Sequence, residues 1–212
     1  MAQPSIVAGL PEEAFRRYDN SPDSEFYNIP RLVTHIDAGA IGAVTQLYRE
    51  CFPTGGTILD LMSSWVSHLP PDVSYRRVIG LGMNESELRA NPRLDDWTVQ
   101  DLNADSVLPF ADGAFDACGI CVSIQYLTHP IEVLAEVARV CAPGAPLVTT
   151  FSNRCFPTKA VAVWQMLGDE EHQRLVSHYL EAAGNWTNLE TRSFVPPRGQ
   201  GDPLFAVIAQ KG

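Results

Sequence analysis

The hydrophobic positions of this chain fall into blocks whose period switches between that of a helix and that of a buried strand. Ile36, Ala40, Ile41, Val44, Leu47, Tyr48 and Cys51 recur at helical spacing, so residues 37–51 are predicted to form an amphipathic helix. Gly55-Gly56 ends that pattern, and Thr57-Ile-Leu-Asp-Leu-Met-Ser-Ser-Trp65 follows. Its apolar run Ile58, Leu59 and Leu61 predicts a strand covered on both faces, with Asp60 near the carboxyl end. Comparable runs occupy Arg77–Leu81, Trp97–Gln100, Ala117–Ile124, Pro146–Phe151, Leu189–Val195 and Leu204–Gln210.

Helix signals lie between these runs. Ser63–Leu69 is predicted to turn into a short helix stopped by Pro70-Pro71. Asn84 is placed to cap a helix, and Pro130 opens another that runs to Cys141 and stops at Ala142-Pro-Gly144. After the fifth strand a helical region is interrupted near Gly168-Asp169 and ends at Gly184, and the last two strands are joined by a turn-rich loop at 196–203. The alternation predicts an α/β fold, a doubly wound Rossmann-like sheet of about seven strands, mostly parallel with an antiparallel edge strand. In such sheets ligands bind beyond the carboxyl ends of the strands, so Asp60 either faces a ligand there or caps the helix expected after it.

The N-terminal region has a different character. Residues 1–10 look loose, Pro11–Asp19 carries the Pro and acids of a short helix start, and Asn20–Ser24 is a turn cluster. Phe26–Asp37 then packs two aromatics, Arg31, His35 and an acid into the stretch ahead of the first strand. It is either a lid over a site, with Tyr27, Arg31 and His35 turned inward, or an arm anchored by its aromatics. The expected organisation is an N-terminal helical arm or lid at 1–52 and the sheet domain at 53–212, one compact unit in all.

Composition narrows the partners. The 212 residues are 45% hydrophobic and 19% charged, ordinary globular material, with a net charge of −10 that repels phosphate backbones and argues against nucleic acid. No run approaches the roughly 20 apolar residues that span a bilayer, and no signal-peptide core opens the chain, so a soluble, cytoplasmic protein is expected. The odd number of cysteines (Cys51, Cys118, Cys121, Cys141 and Cys155) points to reduced thiols. Cys118 and Cys121 have C-x-x-C spacing but no second pair, so they are expected to be core residues and no metal site is expected.

The most specific motif is Leu108-Pro-Phe-Ala-Asp-Gly-Ala-Phe115-Asp116-Ala, followed by Tyr126-Leu-Thr-His-Pro130 and Glu136-Val-Ala-Arg-Val-Cys-Ala-Pro-Gly144. Over about residues 50–155 the chain resembles the class I S-adenosylmethionine-dependent methyltransferases, in particular their type 11 branch. That family commonly has a Leu-Pro-Phe loop before Phe-Asp and a Glu-x-x-Arg-Val-x-x-Pro-Gly helix end. Its first loop is usually Asp-x-Gly-x-Gly-x-Gly, where this chain has Asp60-Leu-Met-Ser-Ser-Trp-Val without a glycine. Side chains then fill space that glycine leaves empty, and positive φ becomes costly. The second strand of the family usually ends in an acid for the ribose hydroxyls. Gly82 occupies that position here, with Asn84 or Glu85 as possible substitutes.

The resemblance implies S-adenosylmethionine as cofactor, S-adenosylhomocysteine as its product, and a small-molecule acceptor. Asp60, Met62, Ser63 and Ser64 fall on the first loop, and Gly82, Met83 and Asn84 on the second strand's end. Asp101 would accept from the adenine amine while the Leu102 amide meets the ring, and Ser123 continues from the fourth strand. Ser63 and Ser64 would donate to the methionine carboxylate, aided by Arg31. His35 is the preferred general base, with Tyr27 beside it; His129 precedes Pro130, where a capping role is expected. Asn153-Arg-Cys-Phe156 would line the substrate side. The alternative is a catalytically inactive protein of this fold that binds a nucleoside or a partner, kept open by the altered first loop. An oxidoreductase lacks the expected G-x-G-x-x-G, and the oligomeric state is left open.

Overall fold

Each of the seven apolar runs becomes a strand of one sheet. In the computed structural model, residues 10–197 and 200–212 are described. The expectation of a loose N-terminus therefore lies outside the described residues apart from Leu10, as do Arg198 and Gly199 of the loop joining the last two strands. The strands are β1 (Thr57–Leu61), β2 (Arg77–Gly82), β3 (Asp96–Val99), β4 (Ala117–Cys121), β5 (Pro146–Phe151), β6 (Trp186–Phe194) and β7 (Leu204–Lys211). Of these, β1, β2, β4, β5 and β7 are the buried strands. The helices are α1 (Asp23–Phe26), α2 (Ala38–Cys51), α3 (Glu85–Ala90), α4 (Pro130–Val140), α5 (Ala162–Met166) and α6 (Asp169–Ala183).

The sheet order is β3-β2-β1-β4-β5-β7-β6. Strands β1 to β5 are parallel, while β7 runs antiparallel to both β5 and β6. The edge is thus an antiparallel pair, with the reversed strand one place in from the rim. Side chains alternate across β1: Ile58 joins Val44, Leu47 and Val148 on one face, whereas Leu59 and Leu61 join Val137, Leu147 and Val176 on the other. Cys118 and Cys121 obey the same alternation and point to opposite faces. The chain leaves β1 toward β2 on one side and β4 lies on the other, so the strand order reverses at β1 and opens a crevice at its carboxyl end.

Four expectations change. Pro11–Asp19 makes only a 3-10 turn at Glu12–Phe15, because Arg17 leaves to bridge Val161 and the Asp19 amide donates to Thr158 O. Ser63–Leu69 forms no helix: the Ser63 amide donates to Leu81 O, so the chain extends past the end of β2. Asp60 therefore caps no helix. The fourth strand stops at Cys121, since Val122 turns to φ 45° and Ile124–Tyr126 forms a 3-10 turn. His129 stands at the N-cap position of α4, but its side chain makes no capping bond there.

A buried ionic cluster ties the arm to the sheet domain. Both Arg17–Asp23 contacts are 2.7 Å, and the fully buried Lys159 ammonium lies 3.2 Å from Asp23 and from Asp19. Asn103 donates to the same Asp23 carboxylate (2.8 Å) and to Tyr126 O (2.9 Å), which brings the loop after β3 into the cluster. Removing the one carboxylate shared by two buried cations leaves Arg17 without its ion-pair partner and Lys159 with Asp19 alone. Asp23→Ala is expected to cost about 3–5 kcal/mol, read as a lower urea midpoint with unchanged slope.

Candidate functional site

A cavity of about 420 Å³ occupies the crevice beyond the carboxyl ends of β1 to β4, within the range of small-ligand pockets. It gathers Tyr27, Arg31 and His35 from the arm with Met62, Ser63, Ser64, Gly82, Met83, Asn84, Asp101, Leu102 and Ser123. Of the residues singled out from sequence, Asp60, Glu85 and His129 do not border it; Asp60 is buried. A wider hollow of about 810 Å³ lies at the opposite ends of the strands, bordered by Gly55-Gly56, Asp116 and the Glu50–Arg192 ion pair. It collects none of these residues.

The first loop is held by its own hydroxyls. Asp60 accepts from Ser63 Oγ at 2.6 Å and from Ser67 Oγ at 2.5 Å, while Ser64 Oγ donates to Glu87 at 2.7 Å. Burial raises the Asp60 carboxyl above its ordinary value, and the two serine bonds oppose that rise. Asn91 completes the brace by donating to Ser64 O and Ser67 Oγ. Where the family has glycine, Met62 adopts φ 57°, a left-handed conformation that non-glycine residues rarely take. Gly82 is required by a contact: a Cβ there would lie 2.2 Å from Ser63 O.

The arm crosses the mouth of the cavity and is held by side chain–backbone bonds. Asn84 Nδ2 donates to Tyr27 O (2.8 Å), Trp65 Nε1 to Val33 O (2.9 Å), and the Arg31 amide to Glu87 (2.6 Å). The Arg31 guanidinium lies 4.4 Å from the Phe26 ring centre and 5.4 Å from that of Phe156, and donates to Phe26 O. The expected methionine-carboxylate partner is thus engaged within the arm. Phe156 also meets the His35 ring edge-on at 5.3 Å, so the loop after β5 and the arm share one aromatic cluster. Asp37 and Asp202 exchange carboxylate–amide bonds at the base of the arm.

The cavity wall has two chemical halves. Toward β3, Asp101 accepts the Asn103 amide (2.9 Å) as a turn residue beside buried Leu102. Ser123 Oγ, at the end of β4, is buried without a hydrogen-bond partner although it borders the cavity. Toward the arm lie Tyr27, Tyr126, His35, Cys155 and Phe156. Burial pushes the Tyr126 hydroxyl up to about 12 and that of Tyr27 higher still, so both remain protonated donors. Val122, like Met62, lines the cavity in a left-handed conformation.

Glu87, Asn103, Asp23, Gln100 and Val122 border the cavity without having been anticipated. Glu87 had a signal: it stands three residues after the cap Asn84, whose Oδ1 accepts the Glu87 amide. That spacing suggests a capping box, in which the glutamate would bond back to the cap; its carboxylate goes instead to Arg31 and Ser64. Desolvation lowers the His35 imidazole below its ordinary 6.5, with Glu87 opposing and Arg31 reinforcing the shift. Its neutral form contributes stability fully above pH 6.5, and that contribution falls as the pH drops toward the lower native midpoint. An NMR titration is expected to place the His35 midpoint below 6.5.

Residues 63–149 match the family model of a methyltransferase domain. The demethylmenaquinone methyltransferase of Beutenbergia cavernae is 31% identical over 147 residues, 68% of this chain and 57% of that protein. The match thus spans less than two thirds of the relative's own length. Among solved structures, the [4+2]-cyclase SpnF aligns with a TM-score of 0.59 at 16% identity, over 89% of this chain and 91% of that one. Phosphoethanolamine N-methyltransferase 2 of Haemonchus contortus, in complex with S-adenosyl-L-methionine, aligns with a TM-score of 0.58 at 13% identity, over 81% of this chain and 52% of that one. The structural likenesses establish the fold, and over residues 63–149 the chain is similar to methyltransferase domains.

Proposed function

We propose that the protein transfers a methyl group from S-adenosylmethionine to a small-molecule acceptor in the carboxyl-end cavity. The observation that carries this reading is the cavity itself, which joins a nucleoside-sized crevice at β1 to β4 with a separate aromatic and imidazole wall from the arm and the loop after β5. The unpartnered Ser123 hydroxyl and the polar Asp101-Leu102 turn fit a nucleoside, and the close Ser63–Gly82 contact shapes the floor between them. S-adenosylmethionine supplies an electrophilic methyl group to whatever nucleophile is held in line with it. Asp101 and the Leu102 amide would hold its adenine, and Ser123 and the backbone of Met62–Ser64 would border the remainder.

The protein's own contribution is placement and, for a protonated nucleophile, removal of a proton. His35 is favoured in its neutral form near pH 7 and has a nitrogen able to take that proton. Tyr27 keeps its own proton and would act as a donor to the acceptor molecule. The name of the Beutenbergia relative points to a quinone-type acceptor. The net charge of −10 agrees with a small-molecule partner in place of nucleic acid. Among the described residues no helix is long and apolar enough to cross a membrane.

A second reading, a nucleoside-binding protein of this fold without transfer, is favoured by one observation, the left-handed Met62 in place of a glycine. Calorimetry with S-adenosylhomocysteine separates the two: binding is expected, and absence of heat at millimolar ligand would remove the transfer reading and favour the second. Asp101→Ala should weaken that binding by about 1–3 kcal/mol, the scale of a charge-assisted bond, and leave the ligand-free melting temperature nearly unchanged. The arm segment 27–36 is held by side chains, not by a backbone ladder. Its amides should exchange faster than those of the sheet and slow when ligand binds; equal, ligand-independent exchange would mark it as a fixed arm.

A further inference from the structure

We propose that Glu87, on α3, is the acceptor for the ribose 2′- and 3′-hydroxyls of the nucleoside, in place of an acid at the end of β2. The inference rests on the nucleoside-cofactor reading and adds to it the residue that recognises the sugar. An acid cannot stand at position 82, because even a Cβ there would lie 2.2 Å from Ser63 O. Asn84 Oδ1 accepts the Glu87 amide and Nδ2 donates to Tyr27 O, which leaves one acceptor site, too few for the two donors of a diol. Glu85 is exposed, pairs with Arg89 at 2.6 Å, and does not border the cavity.

The carboxylates that do border it are Asp23, Glu87 and Asp101. Asp23 is occupied by Arg17, Lys159 and Asn103, and Asp101 lies beyond the end of β3 in the turn with Asn103. Glu87 lies between the first loop and the end of β2, and it is 9% exposed. Its Oε1 accepts the Arg31 amide and its Oε2 accepts Ser64 Oγ, one donor on each oxygen. An ionised carboxylate offers about four lone-pair sites. One acceptor site therefore remains on each of two adjacent oxygens, which matches the two O–H donors of a vicinal diol. The same two bonds fix the carboxylate's orientation before any ligand arrives.

The test measures S-adenosylhomocysteine and its 2′,3′-dideoxy counterpart by calorimetry on the full-length protein, its Glu87→Gln variant and its Glu85→Gln variant. The unaltered protein should prefer the diol by about ten- to a hundredfold, the scale of hydrogen bonds to a charged acceptor. Glu87→Gln should reduce that preference to less than about threefold while changing dideoxy affinity little; Glu85→Gln should keep the full preference. Equal loss for both ligands in Glu87→Gln would make Glu87 a tether of the arm and overturn the proposal. So would an unaltered protein that binds both ligands equally well, a result that needs no variant to fold and leaves the cofactor reading standing. Binding of neither ligand would remove the cofactor reading and this one with it.

Discussion

The close passage of Ser63 over Gly82 is the constraint on which the site depends. The chain leaving β1 does not turn into a helix; it runs past the end of β2, with the Ser63 amide bonded to Leu81 O. Only glycine allows that approach, since any Cβ at position 82 would strike the Ser63 carbonyl. To enter this path the backbone turns sharply at Met62, in the left-handed region. The polar groups of the extended loop then need partners that a helix would have supplied. Asp60, buried beneath, accepts the hydroxyls of Ser63 and Ser67, and Asn91 and Glu87 bond the loop from the other side. A loop without glycine is therefore a differently built floor, braced by side chains.

The arm depends on a separate set of forces at each end. At its start the Arg17–Asp23–Lys159 cluster is buried, and burial of paired charges is favourable only while every partner is present. At its far end Asp37 and Asp202 exchange two carboxylate–amide bonds, and Asp37 also caps α2 through the Ala40 amide. Between these fixed points the chain carries exposed Ile29, Leu32 and Val33 outside and Tyr27, Arg31 and His35 toward the cavity. The middle is retained by a few side-chain bonds and by the contact of the Arg31 guanidinium with the rings of Phe26 and Phe156.

Much of the sheet was legible because strands buried on both faces need continuous apolar runs, and Ile58–Leu61, Val78–Leu81 and Leu147–Phe151 supply them. Helix α4 was legible from Pro130 and its apolar stripe, and α3 from Asn84. Ser63–Leu69 was not, because local helix signals there lose to tertiary bonds made with β2 and Asn91, residues distant in sequence. For the same reason sequence placed Asp60 and Arg31 near the cavity but not their partners. Glu87 was hidden by its spacing from Asn84, which has an ordinary local explanation until the arm is seen to lie across it. Cys118 and Cys121 behave as period-two geometry requires, with burial pushing the Cys121 thiol up to about 12.

Two of the left-handed non-glycine residues, Met62 and Val122, stand at the ends of the adjacent strands β1 and β4, and both border the cavity. A β-branched residue at φ 45° is costly, of order 1–3 kcal/mol, and persists only where surrounding structure enforces it. Here the Val122 amide is tied to Thr150 O, and Gln125 Nε2 donates to the Val122 carbonyl. That turn leaves Ser123 Oγ buried and unpartnered at the cavity's edge. Two strains and one unsatisfied hydroxyl thus stand together at neighbouring strand ends, where Met62 and Val122 also pack against the apolar layers. Shared folds host different chemistry, as the likeness to a [4+2]-cyclase illustrates. The features specific to this chain therefore carry the functional argument, and they converge on the floor and rim of a single cavity.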